Sequence, residues 1–245
     1  GAERLLLGIG GSATNDAGMG MAAALGYDFL DAGGQLLKPS GAALAQVAEI
    51  RRQPDAPDLS GLKVEVACDV TNPLYGPDGA AAVYAPQKGA DATGVEQLNA
   101  GLRHFAARVA LWQGQDKATV PGAGAAGGLG FGALVFLQAE LRSGIELLIQ
   151  VTGLANALEG VDLVLTGEGK MDEQTLHGKV VWGVAQAAQK AGIPVAALCG
   201  TQAASPPVID QLGLAFAASI LDRPAELEAA MAYTAAGLEK LAFSV

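Results

Sequence analysis

From residue 161 onward the chain repeats one grammar. Apolar, strand-like segments at 161–165, 193–198 and 215–220 alternate with helical runs at 180–191 and 208–212, and a last helical run covers 225–241. A strand that rejoins its sheet after a helix lies parallel to the one before it, and the crossover is right-handed. The alternation therefore predicts a Rossmann-like, three-layer α/β/α arrangement, with any ligand at the carboxyl ends of the strands. Three strands are few where about 5–6 are usual. Further strands are expected from sequence ahead of residue 1, and the absence of an initiator Met points the same way.

Residues 1–158 follow a different pattern, so a domain boundary is expected near residue 158. The apolar run 5–9, bounded by glycines, reads as a buried strand. A loop, 10–16, leads into a small-residue helix at 17–25. Residues 27–30 and 35–37 read as a hairpin around the turn 31–34. A short helix at 42–50, a strand at 64–68 and a helix at 95–111 follow. The glycine-rich segment 122–130 continues as helix at 133–141.

Composition narrows the function classes. Hydrophobic residues make up 51% of 245, which supports a substantial core. The net charge of −10 leaves no basic stripe for nucleic acid and no attraction to an anionic membrane. An anionic ligand would have to be held by local backbone N–H groups, a few lysines or a metal ion. No apolar run reaches the roughly 18 residues of a membrane span and nothing resembles a secretory signal, so the cytoplasm is the expected location. Cys68 and Cys199 lie in apolar runs and read as buried free thiols. The 34 glycines are clustered, which marks tight turns and places where backbone comes close to something else.

Four loops carry the candidate chemistry. The first, GIGGSATNDAG, follows a strand and opens a helix, so backbone N–H groups at Gly10, Gly11, Ser12, Thr14 and Asn15 can converge on an anion. Asp16 is a candidate metal ligand or helix cap. The second begins at Cys68, where Asp69, Thr71 and Asn72 offer oxygen ligands for Mg²⁺ or a substrate hydroxyl, or an Asx-turn. The third, residues 122–130, suits either close packing or phosphate contact. The fourth, residues 166–179, leaves a strand and is dense in charge. Glu168 and Asp172 can hold a metal or take a proton, and Lys170 and Lys179 can neutralise phosphate oxygens. His177 is a general-base or structural candidate, whereas His104 reads as a surface or packing residue.

Taken together, GIGGSATNDAG, the hairpin after it, ACDVTNPLYGPDGAAAVYAPQKGA, PGAGAAGGLGFG and DLVLTGEGKMDEQTLHGK resemble the bacterial glycerate kinases in order and spacing. The resemblance covers nearly the whole chain. It implies an α/β protein of two domains: a Rossmann-like one, of which residues 159–245 are the C-terminal half, and an inserted α/β one, residues 1–158. The family's N-terminal segment, with its lysine-containing turn and acidic glycine-rich loop, is not among these residues. The implied activity is phosphorylation of D-glycerate by ATP and Mg²⁺, typically to 2-phosphoglycerate, as two domains close on the substrates. A kinase for another small hydroxy acid, or a binding fragment without turnover, are the alternatives. Implied roles are catalytic for Asp69, Lys170 and Asp172, and metal-binding for Asp16 and Glu168. Gly10, Gly11, Ser12, Thr14, Asn15, Thr71, Asn72, His177 and Lys179 would bind phosphate or substrate. Partners are the small molecules, with homo-oligomerisation left open. Ala17 stands where the family often has glycine, a change that is harmless unless the position needs φ above zero.

Overall fold

A computed structural model describes residues 1–176, 179–221 and 234–242. The chain divides into two compact units, Gly1–Arg142 and Ser143–Val245.

The first unit contains two small sheets. Strand β1, Arg4–Gly8, and β5, Glu140–Arg142, flank β4, Lys63–Ala67, and both run parallel to it. Strands β2, Tyr27–Leu30, and β3, Glu49–Arg52, pair antiparallel, with Phe29 opposite Ile50. The expected hairpin survives as a single bridge between Leu30 and Leu36. The segment expected to be helical at 42–50 forms a 3-10 turn, Gly41–Gln46, capped by the Ser40 hydroxyl, and then becomes β3. Val47 ends the turn in an extended conformation, and the period of two buries Ile50 while exposing its neighbours.

Helices α1, Met19–Ala24, α2, Ala80–Tyr84, α3, Ala92–Gln113, and α4, Ala125–Phe136, complete this unit. The Asp91 side chain caps α3 at Gly94 N–H, 2.7 Å away, and Gly114 closes it at φ 78°. Leu102, Phe105, Ala106 and Val109 turn inward from α3 onto Phe29, Phe131 and Phe136. Phe105 lies 5.6 Å from Phe29 and 6.3 Å from Phe131, ring to ring. Such tilted and edge contacts are favoured over a face-to-face sandwich of rings.

Strand β1 is not the buried strand that its sequence suggests. It lies on the outside of its sheet, and Leu5 and Leu6 are exposed. The central strand carries an unexpected buried charge. The Glu65 carboxylate lies 2.5 Å from Arg4, 2.7 Å from Arg142 and 3.4 Å from Lys63. The Arg142 guanidinium, with Arg4 and Lys63, outweighs burial and holds its pKa down to about 2. Because the folded value lies below the ordinary 4.5, the stabilisation is complete above that pH and disappears as the pH falls towards 2. A Glu65→Gln variant should therefore melt below wild type at neutral pH, and thermal melts should show the gap closing as acid protonates Glu65.

In the second unit every strand runs parallel to β8, Val195–Gln202. Strands β6, Val164–Thr166, and β7, Lys170–Met171, succeed one another along one side of β8, and β9, Phe216–Leu221, lines the other. Helices α7, Val180–Lys190, and α8, Pro206–Leu212, supply the expected crossovers. Helix α9, Thr234–Ala242, is the described part of the last helical run. Helices α5, Gly144–Thr152, and α6, Leu154–Ala157, also pack here. Gly183 makes this possible, because a Cβ there would sit 2.1 Å from Ile145 Cγ1. That contact puts residues 143–158 with the C-terminal unit, earlier than the expected boundary. The alternation predicts the α/β class with parallel strands, and the fold has it.

Candidate functional site

The glycine-rich third loop is a platform for the first two. Its segment from Ala126 to Gly128 has positive φ throughout, so α4 is kinked near its start. The Ala17 N–H donates to the Gly127 carbonyl at 3.1 Å, and Gly124 N–H donates to the Asn72 carbonyl at 2.9 Å. A Cβ on Gly127 would meet the Thr14 carbonyl oxygen at 2.0 Å, and one on Gly124 would meet that of Pro73 at 2.2 Å. Of the two readings open to this loop, close packing is the one these contacts describe. Ala17 itself sits at φ 53° and is fully buried. Glycine would relieve about 1 kcal/mol of left-handed strain but forfeit about 0.8 kcal/mol of buried methyl. Chemical denaturation of Ala17→Gly should therefore fall within about 1 kcal/mol of wild type.

On this platform the first loop borders a cleft of about 430 Å³ lined by Thr14, Asn15, Asp16, Ser40 and Lys88, among others. Among the described residues no hydrogen bond engages the main-chain N–H groups of Gly11 to Asn15. Both side-chain polar atoms of Asn15 are buried and lack partners. The Asp16 carboxylate oxygens accept the N–H groups of Gly18 and Gly20, each at 3.0 Å. Lys88 donates to the Ser12 hydroxyl at 2.9 Å and to the Thr14 carbonyl at 2.7 Å. Burial lowers its pKa, and the nearby Asp16 charge partly offsets this.

The second loop is divided. Asn72 accepts the Tyr84 hydroxyl at 2.6 Å and donates to the Asp78 carbonyl at 2.8 Å. Asp69 and Thr71 are exposed beside it. Cys68 and Cys199 are free thiols, and burial pushes both pKa values up.

In the second unit the charged loop is held at the ends of β6 and β8. Gly200 N–H donates to the Glu168 carbonyl and Thr201 N–H to the Gly169 carbonyl. Buried Thr175 organises the carboxylates: its hydroxyl donates to Glu168 Oε1 at 2.6 Å and accepts the Asp172 N–H at 3.1 Å. Lys179 lies 3.2 Å from Asp172 and 3.9 Å from Glu168. Lys170 lies 3.2 Å from the other Asp172 oxygen. These lysines, Lys170 first, hold the Asp172 carboxyl below its ordinary value. A Thr175→Val change keeps the shape but strands a carboxylate oxygen and an N–H. It should cost about 1–3 kcal/mol in denaturant unfolding.

The structure thus gathers Thr14, Asn15 and Asp16 at one cleft, and Glu168, Lys170, Asp172 and Lys179 at one loop. His177 lies outside the described residues. His104 is exposed, with its Nε2 2.8 Å from the Val47 carbonyl. Among the described residues no three His, Cys, Asp or Glu side chains come together as a metal site, and no helix is long and apolar enough to cross a membrane. Lys88 and Thr175 went unassigned in the sequence. Lys88 had a readable signal, a lone cation in the small-residue stretch AAAVYAPQKGA.

Comparison with known proteins gives the family. The model of the glycerate kinase family matches residues 1–245. A glycerate kinase of Halalkalibacterium halodurans is 42% identical over 245 residues, all of this chain and 64% of the relative. One of Bacillus subtilis is 43% identical over 99% of this chain and 63% of its own length. A glycerate 2-kinase of Escherichia coli is 42% identical over 90% of this chain and 58% of its own length. A crystal structure named for glycerate kinase 2 of Salmonella typhimurium LT2 superposes with a TM-score of 0.77 at 38% identity, covering 99% of this chain and 66% of that one. The chain spans a little under two thirds of the curated relatives' length. With a family match from its first residue to its last, the chain belongs to the glycerate kinase family.

Proposed function

We propose that the protein containing this chain transfers the γ-phosphoryl group of ATP to D-glycerate, giving 2-phosphoglycerate and ADP. The substrate hydroxyl attacks the γ-phosphorus, the bond to the β,γ-bridging oxygen breaks, and the hydroxyl proton is released. The observation that carries this reading is the Lys170–Asp172–Lys179–Glu168 cluster at the strand ends, in a chain matched by the family throughout. The 2-position follows the name of the Escherichia coli relative.

Phosphoryl transfer asks for positioning and charge stabilisation rather than covalent chemistry. Lys170 and Lys179 supply positive charge for the phosphate oxygens. The first loop supplies donors for an anionic group of either substrate. Mg²⁺ fits the second unit's loop. Glu168 and Asp172 are hard oxygen donors that already share one cationic nitrogen, that of Lys179, and a kinase metal takes its other ligands from phosphate and water. When bound, it would neutralise phosphate charge. Asp172, held anionic by two lysines, is a weak proton acceptor and serves better to orient the hydroxyl. Asp69, exposed at a strand end, is the remaining carboxylate candidate for that role.

A coupled ADP-release assay on the whole protein tests this directly. The expected result is turnover that requires D-glycerate and a divalent cation, with phosphorus NMR placing the phosphate on the 2-oxygen. No ADP release with D-glycerate, but release with another small hydroxy acid, would reassign the substrate.

A further inference from the structure

In the charged loop of the second unit the carboxylate oxygens of Glu168 and Asp172 are unequally engaged. On Asp172, Oδ1 accepts the Gln174 N–H at 3.1 Å and lies 3.2 Å from Lys179, and Oδ2 lies 3.2 Å from Lys170. On Glu168, Oε1 accepts the Thr175 hydroxyl at 2.6 Å. Its Oε2 receives no hydrogen bond among the described residues, and Lys179 stands 3.9 Å away. The Thr175 hydroxyl is therefore the one group among the described residues that fixes this carboxylate by a hydrogen bond, and it decides which oxygen is left over. Its direction is forced. The Asp172 N–H donates to the same hydroxyl oxygen at 3.1 Å, so the hydroxyl's own proton is left for Glu168. Bonds in series strengthen one another, and Thr175 has no exposed surface at which water could compete. Without this bond the glutamate side chain regains its other rotamers.

We propose that Thr175 is a positioning residue for phosphoryl transfer, whose hydroxyl holds Glu168 so that Oε2 stays available to a divalent cation. The proposal rests on the reading of this loop as the metal- and phosphate-handling part of a kinase. Hard cations take oxygen ligands, and partners that orient such a ligand from behind account for about 10–100-fold in metal affinity or activity. Lys179 is too far from Oε2 to hold it by a hydrogen bond, so the carboxylate's direction comes from Thr175. Thr175 touches no substrate in this role and acts through Glu168. Serine could take its place, because the role needs a hydroxyl. Valine could not, although it keeps threonine's shape.

The test compares wild type, Thr175→Ser and Thr175→Val in the whole protein, titrated calorimetrically with a non-hydrolysable ATP analogue in the presence and absence of Mn²⁺. Mn²⁺ should tighten binding of the analogue in the wild type and in Thr175→Ser. In Thr175→Val the Mn²⁺-bound analogue should bind about 10–100-fold more weakly than in the wild type, while the metal-free analogue binds alike. The kcat should fall with it, and KM for D-glycerate should hold. Thr175→Ala, which removes the hydroxyl without putting a methyl in its place, should match Thr175→Val and guards against a variant that fails to fold. A purely structural threonine gives a different pattern, because a weaker fold does not separate metal-bound from metal-free analogue. The proposal is overturned if Mn²⁺ has no effect in the wild type, if the variants without the hydroxyl keep the full Mn²⁺ effect, or if Thr175→Ser loses as much as they do. Turnover of D-glycerate at the wild-type rate by Thr175→Val would sink the positioning role and leave the kinase reading intact. A Mn²⁺ effect that depends on the hydroxyl, in a protein that does not phosphorylate D-glycerate, would keep the role of Thr175 and reassign the substrate.

Discussion

Replacing Gly127 by alanine should unfold the first unit or destabilise it by about 3 kcal/mol or more in denaturant unfolding. Two penalties coincide. The residue has φ 69°, where an L side chain is strained, and the new Cβ would lie 2.0 Å from the Thr14 carbonyl oxygen. Neither neighbour can retreat, since Thr14 and the adjoining Asn15 sit in the loop that the platform shapes. Gly61→Ala is the control. It has ordinary φ and open space around its Cβ, so its stability should stay within about 0.5 kcal/mol of wild type. A Gly127→Ala protein that unfolds at wild-type denaturant would show that the close approach is not what holds the loop.

The second large effect is on turnover. Lys179→Met in the whole protein should lower kcat about 10²–10³-fold, the scale of losing one preorganised charge donor. KM for D-glycerate should change little, because the effect arises at the phosphoryl group. Lys170→Met should cost less. Lys170 is 63% exposed and touches Asp172 alone, whereas Lys179 is 36% exposed and reaches both carboxylates. Equal losses for the two variants would contradict that ranking. A fall in kcat/KM through KM alone would place Lys179 in ground-state binding instead.

Much of this was legible in sequence because local pattern and fold agree. Strands β6, β8 and β9 are apolar, short and separated by helices, so their parallel order follows from chain connectivity, whereas β7 lies within a stretch that reads as a loop. The charged loop was equally plain, since polar residues leaving a buried strand have few structural uses. What escaped depended on distant partners. Strand β3 hides in a stretch of helix formers, and it becomes a strand because Ile50 finds Phe29 some twenty residues earlier. Leu5 and Leu6 look buried because sequence shows hydrophobicity but not a strand's place in its sheet. Thr175 looks like a routine loop threonine until Glu168 and Asp172 close on it. The role of the glycine run was underdetermined, because residues without side chains record only that something passes close by.

The bond from Ala17 to Gly127 carries a consequence for biosynthesis. About 110 residues separate its ends. At about 5–20 residues per second, the platform leaves the ribosome roughly 5–20 s after the loop that it shapes. During that interval the first loop has no backing, and its neighbours in space are still inside the translation machinery. A nascent chain therefore has no ordered first loop, and a ligand that needed that loop could not assist the early steps of maturation. Its influence begins only once α4 has docked.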